Sequence, residues 1–592
     1  MSVSETGTGQ APRHSSVGEV PVTSVLSYHD APIFSGEYSA DDEALVALGY
    51  KPEFKREFSL WTTFCVSFAV LGLLPSFAST LYYGLGYAGT GGMVWGWLIA
   101  MVFIQCVAMS MAEICSSMPT SGGLYYASAV LAPPGWGPLA SWLTGWSNWL
   151  VQVTGAPSVD YALSAMILAT ASINNPNYTP EAWHTFLLTT LIMILHAFVS
   201  SMPTKWIANL NSVGSTFNII ALFIVIIIIP ATAMRESLGY PKFTASSEVW
   251  GTIYQGTEFP AGISILMSFI SVIWTMSGYD APFHLSEECS NASVAAPRAI
   301  VLTSAIGGLF GWFLQLVVAY TVLEDQIDSI IDSDLGQPWA AYLLQVLPVP
   351  ATNAVLCLTI LCAFSMGQGC MVAASRVTFA YSRDGCFPCS WWMARVNKTT
   401  KTPVNAVWFN AVIGILLTLL LFGGPAAIGA IFSVGALAGF VAFTIPIFIK
   451  TFFVADRFRP GPWNLGRWSR PIGTLGCAFV LLMVPILCLP SVIDGDLTPD
   501  LMNWTCLVYG GPMLGAVIWW IVDARKWFKG PKVNIEHLMI GRKAEDVGQI
   551  EGHVIEGEKV RAPVIRDDSD FEKEDKLSGS GSGSESDARA RD

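Results

Sequence analysis

The sequence predicts an all-α polytopic membrane protein with twelve transmembrane helices, two of them discontinuous. Three observations carry that prediction. Only 13% of the 592 residues are charged and 52% are hydrophobic, whereas soluble domains carry about a quarter charged residues. Apolar runs of about 20 residues, the length that crosses a bilayer core, recur along the chain. Gly and Pro interrupt the first and the sixth of these runs, and such breaks free backbone groups that hydrocarbon cannot satisfy.

Residues 1–57 are polar and rich in Ser, Thr and Gly, which predicts a disordered tail. Spans follow at 58–87, 92–116, 138–171, 183–200, 208–230, 262–286, 299–323, 351–381, 404–422, 426–449, 473–493 and 501–522. Residues 523–592 form a charged tail with a flexible Ser/Gly repeat near its end. Loop charge sets the orientation. Arg376, Arg383, Arg395, Lys398 and Lys401 follow the eighth span, and Lys450, Arg457, Arg459, Arg467 and Arg470 follow the tenth. Glu324, Asp325, Asp328, Asp332 and Asp334 follow the seventh, and Asp494, Asp496 and Asp500 the eleventh. Basic loops stay inside, so both termini are expected in the cytoplasm. The Asn177-Tyr-Thr179 sequon then faces outward.

The remaining composition narrows the function. The net charge of −13 comes largely from the tails and one outer loop, and no Lys/Arg run suggests nucleic acid. The N-terminus lacks a charged-then-apolar signal peptide. Most of the 12 cysteines lie inside or beside apolar spans without CxxC spacing, as reduced core residues do. No metal or cofactor site is expected. No HExxH, GxSxG or convincing intramembrane nucleophile set argues for an enzyme.

The stretch Trp274-Thr-Met-Ser-Gly-Tyr-Asp-Ala-Pro-Phe-His-Leu-Ser-Glu-Glu288 organises the rest. Gly278 and Pro282 break the sixth span, and Asp280, His284, Glu287 and Glu288 bring in charge that a lipid-facing helix would lack. The first span carries the matching break at Gly72 and Pro75. One broken helix in each half of a duplicated design marks a transporter's substrate site. The new helical halves are expected to start near Ser76 and Asp280, with N–H groups and a positive dipole end aimed at the midplane. The carbonyls near Leu71 and Ser277 would be bare. Leu71, Gly72, Leu73, Pro75 and Ser76 on one side and Trp274, Ser277, Gly278, Tyr279 and Asp280 on the other are therefore candidate substrate contacts. Each aromatic equally fits plain helix packing.

Other polar groups inside spans default to functional candidates. Gln152, Ala156 and Asp160 follow at i, i+4 and i+8 on the third span, broadly one face. Gln152 would bind substrate there, and Asp160 either attracts an amine or sits hydrated near the outer interface. Glu113, Glu287 and Glu288 lie at helix ends and suit gating ion pairs, with Arg376 or Arg383 as partners. A proton relay through Glu113 or Glu287 is the alternative.

Three stretches carry a resemblance. They are Ala112-Glu-Ile-Cys-Ser-Ser-Met-Pro-Thr-Ser-Gly-Gly-Leu-Tyr-Tyr126, then Gly278–Glu288 with Pro297-Arg-Ala-Ile300, then Ser375-Arg-Val-Thr-Phe-Ala-Tyr-Ser-Arg-Asp-Gly385 with Thr402-Pro-Val-Asn405. Over about 58–522 the chain resembles the amino acid–polyamine–organocation superfamily, in its eukaryotic amino acid, choline and GABA permease branch. The resemblance implies a LeuT-like 5+5 inverted repeat: 58–230, then 262–449, with peripheral helices in 473–522. It also implies alternating access driven by an ion gradient, usually protons. It makes Ser375 and Arg376 gating candidates and places Asn218 where some proton-coupled relatives carry a Lys. The leading expectation is a symporter importing an amino acid or related amine such as GABA across the lipid bilayer of the plasma membrane, with choline or polyamines as the alternative substrates, and with ubiquitin ligases or trafficking factors as partners of Lys51, Lys55 and other tail lysines. A channel, an enzyme or a non-transporting nutrient sensor on the same scaffold are the competing classes.

Overall fold

The computed structural model describes residues 39–531, apart from 49, 51, 494–496 and 500. Among the described residues the regular structure is helical, with one isolated bridge between Phe58 and Cys289. Among the described residues ten helices are long and apolar enough to cross a bilayer, from Leu60–Ser117 to Thr505–Trp527.

Ten rather than twelve has a physical reason. The first two expected spans run together as the 58-residue stretch Leu60–Ser117. At about 1.5 Å per residue it measures roughly 87 Å, nearly three bilayer cores of about 30 Å. It is broken at Gly72 and bent at Gly89, whose φ of 63° and ψ of −161° are not helical. A Cβ at Gly89 would come within 2.6 Å of Tyr254 Cβ, so the corner requires glycine. The sixth expected span appears as Ala261–Thr275, 15 residues, too short because the chain unwinds behind it.

Small residues bring the helices together, as in other membrane bundles. The third span, Gly137–Asn174, packs on both the eighth, Val349–Arg383, and the tenth, Pro425–Phe448. Gly145 faces the ring of Tyr381, and Gly214 of the fifth span faces Ser365. Trp97 lies over Gly311 of the seventh span, Ala292–Thr321, and donates its indole N–H to the Gly308 carbonyl at 2.8 Å.

The N-terminal stretch is more ordered than its composition suggests. Residues 40–47 form a helix capped by Ser39 and Asp42. The Asp41 carboxylate accepts from the N–H groups of Asn291 and Ala292 at 2.7 and 3.1 Å, at the start of the seventh span. Arg56 pairs with Asp42 at 2.8 Å and donates to the Cys289 carbonyl at 2.9 Å. Phe58 exchanges backbone bonds with Glu288 and Ser290. These few polar anchors override a composition that favours disorder. Lys55 is exposed; the disorder expected for 1–38, the Lys51 ubiquitin site and the tail from 532 onward lie outside the described residues. The last helix runs past 522 to Trp527, where Trp519, Trp520 and Trp527 surround the buried Trp142 at 5.3 to 6.0 Å. The single CxxC spacing, Cys386 to Cys389, joins a buried and an exposed cysteine in a basic loop.

Candidate functional site

The sixth-span break is five residues of turn, from Met276 to Asp280, between Ala261–Thr275 and the short helix Ala281–His284. Pro282 sits in the first turn of that helix, where its missing N–H costs nothing. Gly278 has φ +89°, and a Cβ there would stand 2.6 Å from Val70 Cγ1 and 3.0 Å from the Leu71 nitrogen. Glycine is needed twice, for backbone conformation and for close approach. The first-span break is shorter. Leu60–Leu71 stops at Gly72, in the left-handed region at φ 47°, and Leu73 starts the next helix. The two breaks touch through Gly278 and Val70–Leu71, and Ser67 Oγ donates to the Gly278 carbonyl at 3.2 Å.

Beside the longer break lies a cavity with about 50 Å³ of space for water centres, where one water needs roughly 10–15 Å³. Gln152, Trp274, Ser277, Gly278, Tyr279 and Asp280 line it together. Asp280 is buried, and Gln152 Nε2 donates to its Oδ2 at 2.8 Å. The Tyr279 hydroxyl is buried without a partner. Trp274 presses on Gly435, where a Cβ would lie 2.5 Å from its ring, and meets Phe432 at 5.1 Å. Asp280 is the only charged residue in the lining.

The first-span candidates fall elsewhere. Leu71, Gly72, Leu73, Pro75 and Ser76 do not line the cavity; Val70 does. Met366 of the eighth span fills the space at Gly72, with its sulfur 2.5 Å from where a Cβ would be. Ser76 Oγ donates to the Leu71 carbonyl at 2.8 Å, so that carbonyl is capped. The second half begins at Leu73 rather than Ser76, because one left-handed residue suffices for the break.

The tenth span was missed by sequence reading. Gly435, Ala436, Gly439, Phe440 and Phe443 form one wall of the cavity. Its signal was the run of small residues from Gly429 to Gly439, which lets large aromatics from the sixth span approach.

Asp160 does not line the cavity. It is fully buried and meets His196 Nδ1 at 3.0 Å, on the fourth span, Ala182–Ser200. Asn218 is likewise off the cavity, donating to the Gly214 carbonyl of its own helix at 3.2 Å. The glutamates at the basic end are paired. Arg376 meets Glu288 at 2.8 Å and also donates to Ser375 Oγ at 3.0 Å. Arg383 meets Glu287 at 3.1 Å, and the Ser121 N–H donates to Glu287 at 2.9 Å. Glu113 pairs with Lys450 at 2.6 Å. The sequence counted Lys450 as a loop charge, but the π-turn Ile449–Phe453 brings it inside. Among the described residues no three His, Cys, Asp or Glu groups converge as metal ligands.

A family model described as amino acid permease matches residues 58–512. The chain belongs to the amino acid permease family. A Schizosaccharomyces pombe protein named as an uncharacterized amino-acid permease is 61% identical over 502 residues, covering 84% of this chain and 91% of the relative. A Candida albicans protein named "Putative polyamine transporter" is 48% identical, with 91% and 98% covered. The amino-acid permease BAT1 of Arabidopsis thaliana is 32% identical, with 83% and 96% covered. The permease is thus a multi-pass membrane transporter.

Proposed function

We propose that this permease is a proton-coupled secondary active transporter for amino acids or related amines such as GABA. It works at the plasma membrane by alternating access on a LeuT-like scaffold of twelve crossings, with both termini in the cytoplasm. The single observation that carries this reading is the buried Asp280 carboxylate at the unwound turn of the sixth span, facing a cavity. An ammonium group donates to that carboxylate, and Trp274 and Tyr279 offer it aromatic faces, worth about 0.5–2 kcal/mol. The ion pairs Arg376–Glu288 and Arg383–Glu287 act as the inner gate, because both close the chain end that follows the short helix.

One observation favours cationic amines such as polyamines or choline over zwitterions. The lining holds a carboxylate and no cationic side chain, and the first-span turn that would hold a substrate carboxylate lies outside it. The relative named for polyamines agrees with that preference. Uptake of labelled GABA into liposomes containing the full-length protein, competed by putrescine, spermidine, choline and single amino acids, tests the reading. Saturable uptake blocked best by the polyamines selects the cationic class. Saturable binding without flux would make the protein a sensor, and non-saturable conductance a channel.

A further inference from the structure

His284 is the buried ionisable group beside the cavity to which transport alone gives no task. It lies one helical turn after Asp280 and is fully buried. Both of its ring nitrogens face acceptor oxygens. Nε2 is 3.4 Å from Asp280 Oδ2, and Nδ1 is 3.5 Å from the Ser121 carbonyl. A neutral imidazole has one N–H and serves one of these; the imidazolium serves both. Asn148 of the third span places its amide nitrogen 3.4 Å from Nε2 while its own Oδ1 has no partner. The two ends of an amide are interchangeable in shape, and turning this one offers Nε2–H a second acceptor. The turn at Ser121-Gly122-Gly123 is shaped around the ring. Gly123 has φ +49°, and a Cβ there would stand 3.1 Å from Nδ1. His196 differs: Nδ1 faces Asp160, while Nε2 has no polar partner, so a neutral ring satisfies that site.

The other charged and titratable groups around His284 are accounted for. Glu287 and Glu288 follow it in the chain and are held by Arg383 and Arg376 of the eighth span. The helix Gly123–Leu131 brings Tyr125, which donates to Asp384 at 2.6 Å, and Tyr126, which donates to the Leu48 carbonyl at 3.1 Å. The half-helix Leu60–Leu71 contributes Cys65 and no charge. Arg298 of the seventh span is exposed. Among the described residues, Asp280 is the carboxylate left for His284.

We infer that protonated His284 and a cationic substrate compete for the Asp280 carboxylate, so that the permease exchanges a proton for its amine. The inference rests on the transport reading above. In the empty site the imidazolium neutralises Asp280. When an ammonium group enters, its N–H donates to Asp280, and the Nε2 proton passes to water in the access path. One N–H bond breaks, one O–H bond forms on that water, and the site keeps zero net charge. With neither proton nor amine, an unpaired carboxylate would have to cross a low-dielectric interior, which is strongly unfavourable. Reorientation is then confined to the protonated form and the loaded form, which is obligatory exchange. Symport would instead require proton and substrate together.

The test uses full-length protein in liposomes, labelled putrescine, and external pH stepped from about 7.5 to about 5.5, the range where histidine charge changes matter. In the wild type the apparent KM rises as pH falls, by up to about tenfold per unit at acid pH, with an unchanged maximal rate, the mass-action signature of competition. His284→Gln removes that slope and His196→Gln keeps it. A second measurement needs no variant. Putrescine added to the wild type in weakly buffered detergent releases protons to an indicator dye. A pH-independent KM in the wild type, an unchanged slope in His284→Gln, or binding without proton release overturns the exchange. If neither putrescine nor GABA binds or is taken up by the wild type, the transport reading itself falls, and the exchange with it.

Discussion

The two broken helices solve one problem in two ways. At Gly72 a single left-handed residue interrupts the helix, Met366 fills the gap and Ser76 caps the freed carbonyl. At Met276–Asp280 the chain unwinds for five residues and stays open to a cavity that holds a buried carboxylate. The difference teaches that a glycine break in a membrane helix is not by itself a binding site. Space for a ligand also needs neighbouring helices that leave room, and here Gly435 and Gly439 of the tenth span leave it beside the sixth but not beside the first.

The largest expected effect tests whether the open break is the site. Asp280→Asn should lower amine uptake by about 100-fold or more, as loss of one member of a buried charge pair does, with protein at the membrane near the wild-type amount. Uptake with the wild-type half-saturation would remove Asp280 from the site. Next comes the glycine contrast. Gly278→Ala should cost about tenfold or more in uptake, because the methyl meets backbone at Leu71 as well as Val70 and the residue is held at positive φ. Gly72→Ala should be milder: it shares the positive φ, but its methyl meets the adaptable Met366 side chain rather than backbone. Adding Met366→Ala should restore part of the Gly72→Ala loss, a coupling of about 0.5–3 kcal/mol in a double-mutant cycle on thermal stability. No rescue would mean that Met366 is not what closes the first break. The smallest effect is Ser76→Ala, about 1 kcal/mol of stability for a lost hydrogen bond, with half-saturation for the amine unchanged. A raised half-saturation would bring the first break back into the site.

Much of this was legible in sequence. Both breaks follow from Gly and Pro in runs otherwise apolar; charge at helix ends suggested Arg376 and Arg383 for three glutamates, and they meet Glu288 and Glu287, while Glu113 pairs instead with Lys450. What sequence could not give was rotation and neighbourhood. From Gln152 to Asp160 a helix turns through about 80°, since each residue adds about 100°, enough to carry Asp160 off the cavity and onto His196. The Met366 plug is invisible because its helix is remote in sequence and its side chain is a generic apolar filler. Lys450 reads as one more basic loop residue until a π-turn swings it onto Glu113. The order in residues 39–58 depends on a handful of polar contacts, to which composition is blind.

That stitched N-terminal stretch has a mechanical consequence. Phe58 is hydrogen-bonded to Glu288 and Ser290, and Arg56 to the Cys289 carbonyl, immediately beyond the short helix that carries Asp280. Any tilt of that helix therefore tugs on chain lying beyond the apolar bundle. A shift of the turn that carries Asp280 would thus be transmitted as a pull on this outer thread.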